Sequence, residues 1–230
     1  MYIYIHITCI NNYIDVINKM MEKIKKSNLY DNITEIRITL IGNSSSFVLD
    51  PKMVIIHTAE LGTYENETIN RIDVPLNCPV LYLHSKGVTK PQHYSILDWV
   101  ELITYYIIEN WRVCIKQLES YDTVGVNLSE KPKLHYSGNM WWTTGNHLKN
   151  IGKLQYKSYL DSEMYVCQKG NHISLYNSYI DHYQFYYNRF IYENKFQGFH
   201  VKVTYKDGDE SQIPVLISSN VEIKMPTYEL

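Results

Sequence analysis

The sequence predicts an α/β domain whose mainly parallel sheet is covered by helices. Three observations carry that expectation. Runs rich in β-branched and aromatic residues alternate with segments of helical spacing, one apolar stripe runs for about six turns, and the runs end on small or polar residues. The first run, Met1 to Thr8, precedes a helix marked by Ile14, Ile17, Met20, Met21 and Ile24. Glu35 to Gly42 is a second strand closed by glycine, and Lys52 to Ala59 a third after the serine loop and Asp50-Pro51. YENETINRI is a short helix, followed by the Pro75 to Pro79 turn and the strand opening VLYLHSKGV, Val80 to Val88. Ile96, Val100, Ile103, Ile107, Trp111, Cys114 and Leu118 then form the long stripe, and Tyr121 to Asn127 is a further strand. After Lys131 the pattern loosens into glycine-punctuated loops. DSEMYVC begins a helical turn with Asp161 or Ser162 as cap, and VKVTY, DGDE and IPVLI read as a C-terminal hairpin. The chain reads as one domain: residues 1–127 as one half, 128–200 as a second, 201–230 as hairpin and tail.

Composition excludes several function classes. With 22 basic and 24 acidic residues, a net charge of -2 and no basic tract, nothing presents a counterion-releasing surface to nucleic acid. MYIYIHITCI has no basic region before it and is too short to span a bilayer, so neither a signal peptide nor a transmembrane segment is expected. The expected location is cytoplasmic, host cytoplasm if the source is viral. Cys9, Cys78, Cys114 and Cys167 are far apart without a CxxC pair, as reduced apolar thiols would be.

Ligands of open α/β sheets bind beyond the carboxyl ends of the strands. That rule selects Thr8 with Asn11 and Asn12, the Gly42-Asn43 turn, His84-Ser85-Lys86-Gly87, and the segment from Asn127. Caps and turns account for most such residues. Lys86 is different, because a cation at a sheet end wants an anion, and His84-Ser85-Lys86 therefore reads as an anion site. No Walker or GxGxxG motif occurs. A second dense region, His135 to Trp142, sets two tryptophans beside Asn, Ser and His. Aromatic faces and hydroxyl partners suit a sugar, and one core plus one surface tryptophan is the equal alternative.

LYLHSKGVTKP with Asp98-Trp99, ENWRVCIKQLESYDTVGVN, HYSGNMWW and DSEMYV together resemble small GT-A-type glycosyltransferases of bacterial surface-polysaccharide clusters and large DNA viruses. The resemblance runs from the first strand to about Tyr183, and YENETIN is similar to that group's Tyr-Glu segment. It implies a Rossmann-type mixed, mostly parallel sheet and a nucleotide-sugar donor, UDP favoured, carrying a hexose or deoxyhexose. It also implies a glycan or glycoprotein acceptor in surface or capsid glycan synthesis. GT-A enzymes place a metal-binding Asp-x-Asp where this chain has His84-Ser85-Lys86. Mn or Mg is therefore left open as cofactor, no residue is assigned as its ligand, and Lys86 is expected to neutralise diphosphate directly. Asp207-Gly208-Asp209 reads as a hairpin turn instead. Within that frame Thr8, Asn11, Asn12, His84, Ser85, Lys86 and Gly87 are expected at the nucleotide. Asp98, His135, Ser137, Gly138, Asn139, Trp141 and Trp142 are expected at sugar or acceptor, Glu163 as the base and Asp161 as the lesser candidate. His200 is a further phosphate candidate. Two competitors remain: a catalytically inactive nucleotide- or sugar-binding module of the same fold, and an unrelated metal-dependent hydrolase.

Overall fold

The structure is a computed structural model that describes residues 1–44, 47–197 and, for the backbone alone, 199–200. The expected C-terminal hairpin, Asp207-Gly208-Asp209 and the His200 side chain lie outside the described residues.

One eight-stranded sheet organises the chain, in the order β10-β9-β5-β8-β4-β1-β2-β3. Its strands are β1 (Tyr2–Thr8), β2 (Glu35–Ile41), β3 (Met53–Ala59), β4 (Pro79–His84), β5 (Thr123–Gly125), β8 (Trp141–Thr144), β9 (His172–Ser174) and β10 (Phe199–His200). β6 (Leu128–Ser129) and β7 (His135–Tyr136) pair separately. Only β8 and β10 run against the others, so the sheet is mixed and mostly parallel. It continues across residue 127, because β5 pairs with both β8 and β9.

Side chains alternate across each strand, and in the central strands β1 and β4 both faces are buried. Ile3, Ile5 and Ile7 enter the larger core with Ile17, Met20 and Ile24 of α1 (Tyr13–Lys26). Tyr4 faces the other way, into a second core with Tyr82, Trp141 and Leu148. Burying each such side chain contributes about 1.5–3 kcal/mol, so β1 is anchored from both sides.

The stripe from Ile96 to Leu118 is not one uninterrupted helix. It comprises α4 (Tyr94–Thr104), a π turn at Tyr105–Glu109 and α5 (Trp111–Gln117), counting as α2 and α3 the short helices Leu29–Asn32 and Asn66–Ile69. The extra residue in the π turn is accommodated by Asn110, whose backbone N–H and side-chain amide both donate to the Tyr105 carbonyl, at 3.2 and 2.9 Å. Trp142 of β8 donates its indole N–H to the Ile107 carbonyl in this turn, at 2.7 Å. The loop expected after Lys131 also needs correction, since Trp141–Thr144 forms a strand between β4 and β5 and leads into α6 (Gly145–Ile151).

The chain leaves β1 for β2 and β3 on one side, then returns to β4 on the other. Strand order therefore reverses between β1 and β4, and a crevice opens beyond their carboxyl ends. Among the described residues no helix is long and apolar enough to cross a membrane.

Candidate functional site

The ladder between β1 and β4 sets the floor of the crevice. It pairs His6 with His84, then continues one residue further as Ser85 donates its N–H to the His6 carbonyl at 2.9 Å. The Ser85 hydroxyl oxygen accepts the Thr8 N–H at 2.9 Å, and the Asn11 amide donates to the Val88 carbonyl at 2.6 Å. Ser85 and Asn11 thus fasten the two loops to each other. Gly87 adopts φ +93°, which lets the chain turn sharply, and a Cβ there would lie 3.2 Å from Ile96. The turn aims Lys86 into a cleft of about 220 Å³ whose walls include Tyr64, Glu65, Glu163 and Tyr183.

Lys86 is the unusual group. Its ammonium lies 3.9 Å from the centroid of the Trp99 ring, and among the described residues it makes no hydrogen bond or salt bridge. Burial pushes its pKa down, while Glu163 and Glu65 pull it up. A partly desolvated cation held only by a ring face and two nearby carboxylates is prepared for an anionic ligand. Glu163 enters from α7 (Leu160–Met164), across the cleft.

Beneath Lys86 lies a half-buried polar cluster. The His84 Nε2 donates to the Gly138 carbonyl at 2.8 Å, because a carbonyl can only accept. Its Nδ1 is then 3.4 Å from Glu65 Oε1. The other Glu65 oxygen accepts from the Tyr82 hydroxyl at 3.2 Å and from the Asn139 amide. Burial raises the Glu65 pKa and lowers that of His84 to about 4. His6 is likewise buried neutral, its Nδ1 3.0 Å from the Thr68 hydroxyl and its pKa held down to about 4 by burial. Neither histidine adds positive charge at neutral pH, and the cations that line the cleft are Lys86 and Lys90.

The expected nucleotide residues divide. Thr8, His84, Ser85, Lys86 and Gly87 line the cleft. Asn11 is occupied at the loop junction, and Asn12 sits at the start of α1 and lines a neighbouring hollow that Lys86 also lines. Asp98 corrects the expectation of an acceptor contact, since it does not line the cleft. It lies in the second turn of α4 and accepts the Tyr187 N–H at 3.2 Å. His135 donates to the Lys133 carbonyl at 2.7 Å within β7, and the Ser137 N–H reaches the Asn127 carbonyl at 2.9 Å. Gly138 and Asn139 support His84 and Glu65 from below and do not line the cleft. Trp141 and Trp142 are both 0% exposed, one in each core, so neither can stack on a sugar. Tight β8 pairing between two covered faces is the reason. Asp161 is also corrected: its Oδ2 accepts the N–H groups of Lys157 and Ser158, at 2.8 and 2.6 Å, and those bonds lower its pKa. Only Glu163 of the two acids enters the cleft.

Sequence reasoning passed over Glu65, His6, Tyr64 and Tyr183. Their roles come from contacts across the fold, such as Glu65 with Asn139, 74 residues away. The one available signal was the Tyr64-Glu65 pair in the segment already noted for resemblance. A larger hollow of about 420 Å³ opens at the opposite end of the sheet, beside Arg71, Gly145 and Lys149. It lies away from the carboxyl ends of β1 and β4, and its charged lining, Arg71, Asp73, Lys149 and Lys153, stands at the other end of the sheet from the strand-order reversal crevice.

No protein-family model matches this chain, and no curated protein or solved structure matches it either.

Proposed function

We propose that this chain is a glycosyltransferase that moves a sugar from a nucleotide-diphosphate sugar, with UDP favoured, to a glycan or glycoprotein acceptor. The supporting observation is the opposition of Lys86 and Glu163 across a cleft at the strand-order reversal. The mixed, mostly parallel sheet is in keeping with a GT-A-like domain.

The chemistry follows from those two groups. The diphosphate lies over the turn after β4, where the Lys86 ammonium neutralises it and stabilises the negative charge that develops as it leaves. The acceptor hydroxyl attacks the anomeric carbon as the bond from that carbon to the diphosphate oxygen breaks. With inversion, the hydroxyl proton passes to the Glu163 carboxylate. Mg²⁺ or Mn²⁺ does not fit the β4 end, since its groups are a cation, a hydroxyl already accepting from Thr8, and an imidazole committed to Gly138 and Glu65. Among the described residues no three His, Cys, Asp or Glu side chains are grouped to hold a metal. No step is routed through one.

The test is release of nucleotide from a panel of UDP-, GDP- and dTDP-sugars with candidate acceptors, in EDTA and in manganese, beside thermal-shift binding. Transfer in EDTA is expected, and Glu163→Gln should lower kcat by about 10²–10⁴ while sparing UDP affinity. A protein that neither binds nor turns over any nucleotide sugar would sink the proposal.

A further inference from the structure

We infer that the acceptor glycan docks on a shelf of tyrosines beside Glu163, which takes the place the sequence suggested for the tryptophans. This deepens the transferase proposal and rests on it for the word acceptor. Tyr64, a cleft residue, is 48% exposed. Its ring lies 6.0 Å from that of Tyr156 at 29° and 6.5 Å from that of Tyr159 at 37°. Tyr159 is itself 59% exposed. Across the opening, Tyr183 is 53% exposed and meets the edge of Trp99, with the Lys90 ammonium 5.0 Å from its ring. The cleft mouth therefore has an aromatic lip on each side.

The chemistry of this surface selects its occupant. Three neighbouring phenols offer flat apolar faces to the C–H side of a pyranose, and their hydroxyls both donate and accept toward sugar hydroxyls. Fully apolar ligands would waste those hydroxyls, whereas a sugar uses both the ring faces and the hydroxyls. Continuity with the cleft decides between acceptor sugar and nucleotide base. Tyr156 and Tyr159 belong to the segment that leads into Glu163, the proposed base for the acceptor hydroxyl, whereas Lys86 comes from the strand end opposite. Asp161 then has a positioning role: by accepting the Lys157 and Ser158 N–H groups it fixes the turn between the two tyrosines and Glu163.

Saturation-transfer NMR tests the shelf, using methyl β-galactoside, methyl β-glucoside and methyl α-mannoside as probes, with UDP calorimetry run in parallel. At least one glycoside should contact the wild-type protein, and Tyr159→Ala or Tyr64→Ala should weaken it by about tenfold. Tyr159→Phe should retain most of the contact, and UDP affinity should hold in both Tyr159 variants, whose residue lies outside the cleft lining. Absence of glycoside contact in the wild type, contact unchanged in both alanine variants, or UDP affinity falling with Tyr159→Ala would each overturn the inference, the last by making the shelf a base platform. Tyrosine-dependent glycoside contact without any UDP binding would keep the shelf and remove the transferase proposal.

Discussion

His84–Gly87 and Ser137–Trp142 touch each other, through the bond from His84 to the Gly138 carbonyl, yet they meet opposite fates. The first leaves the end of β4 and delivers a cation to an open cleft. The second enters β8 and buries both of its indoles, with Trp141 stacked 4.9 Å from Tyr82 and donating to Asn139 at 3.0 Å. The difference lies in what each side chain can exchange for water. An indole finds a core and one acceptor, and its burial is favourable; an ammonium at a sheet end finds only a ring face and carboxylates at a distance, and stays available. The indole region thus serves the site from underneath, by holding Asn139 against Glu65.

The comparison breaks most readily at Trp141. Trp141→Ala should cost about 3–5 kcal/mol of folding stability by denaturant titration, as loss of a large core side chain does. Unchanged stability with loss of sugar contact alone would return the tryptophan to the ligand.

Acid provides the next largest effect. Burial holds the His6 and His182 imidazoles down to about 4, and His172 to about 3, against an ordinary value near 6.5. Between about pH 6.5 and pH 4 the unfolded chain binds more protons at these rings than the folded one, so stability is fully present above that window and is lost as pH falls through it. Each ring contributes up to about 3 kcal/mol. The raised Glu65 pKa opposes this by one group. Melting temperature should therefore drop steadily from pH 7 to pH 4, and a flat profile would mean that the rings are not buried neutral. Smallest of all is Asp161→Asn, which should leave kcat within about twofold because the amide oxygen can still accept the Lys157 and Ser158 N–H groups and hold the turn. A kcat loss as large as that of Glu163→Gln would make Asp161 the base.

Much of the scaffold could be read from the chain, for definite reasons. β1, β2 and β4 are runs rich in buried apolar residues, and α1 repeats its apolar positions at helical spacing. β8 escaped because four residues, Trp-Trp-Thr-Thr, packed on both faces show no alternation and sit among glycines. The π turn escaped because one extra residue barely shifts a long stripe. Lys86 could be read because charge after a buried strand is anomalous on its face. Glu65 could not, since its burial depends on Tyr82 and Asn139 arriving from other strands, and the tyrosine shelf is assembled from Tyr64 and a segment some 90 residues later.

The central claim is that Lys86 is held in reserve for a diphosphate, and calorimetry of UDP with the wild type and Lys86→Ala tests it most directly. Removing a charge-assisted contact should weaken UDP by about 10- to 100-fold. Melting temperature without ligand should change little, because the desolvation cost of the ammonium offsets the ring contact with Trp99 that is lost with it. Equal UDP affinity in the two proteins would contradict the account.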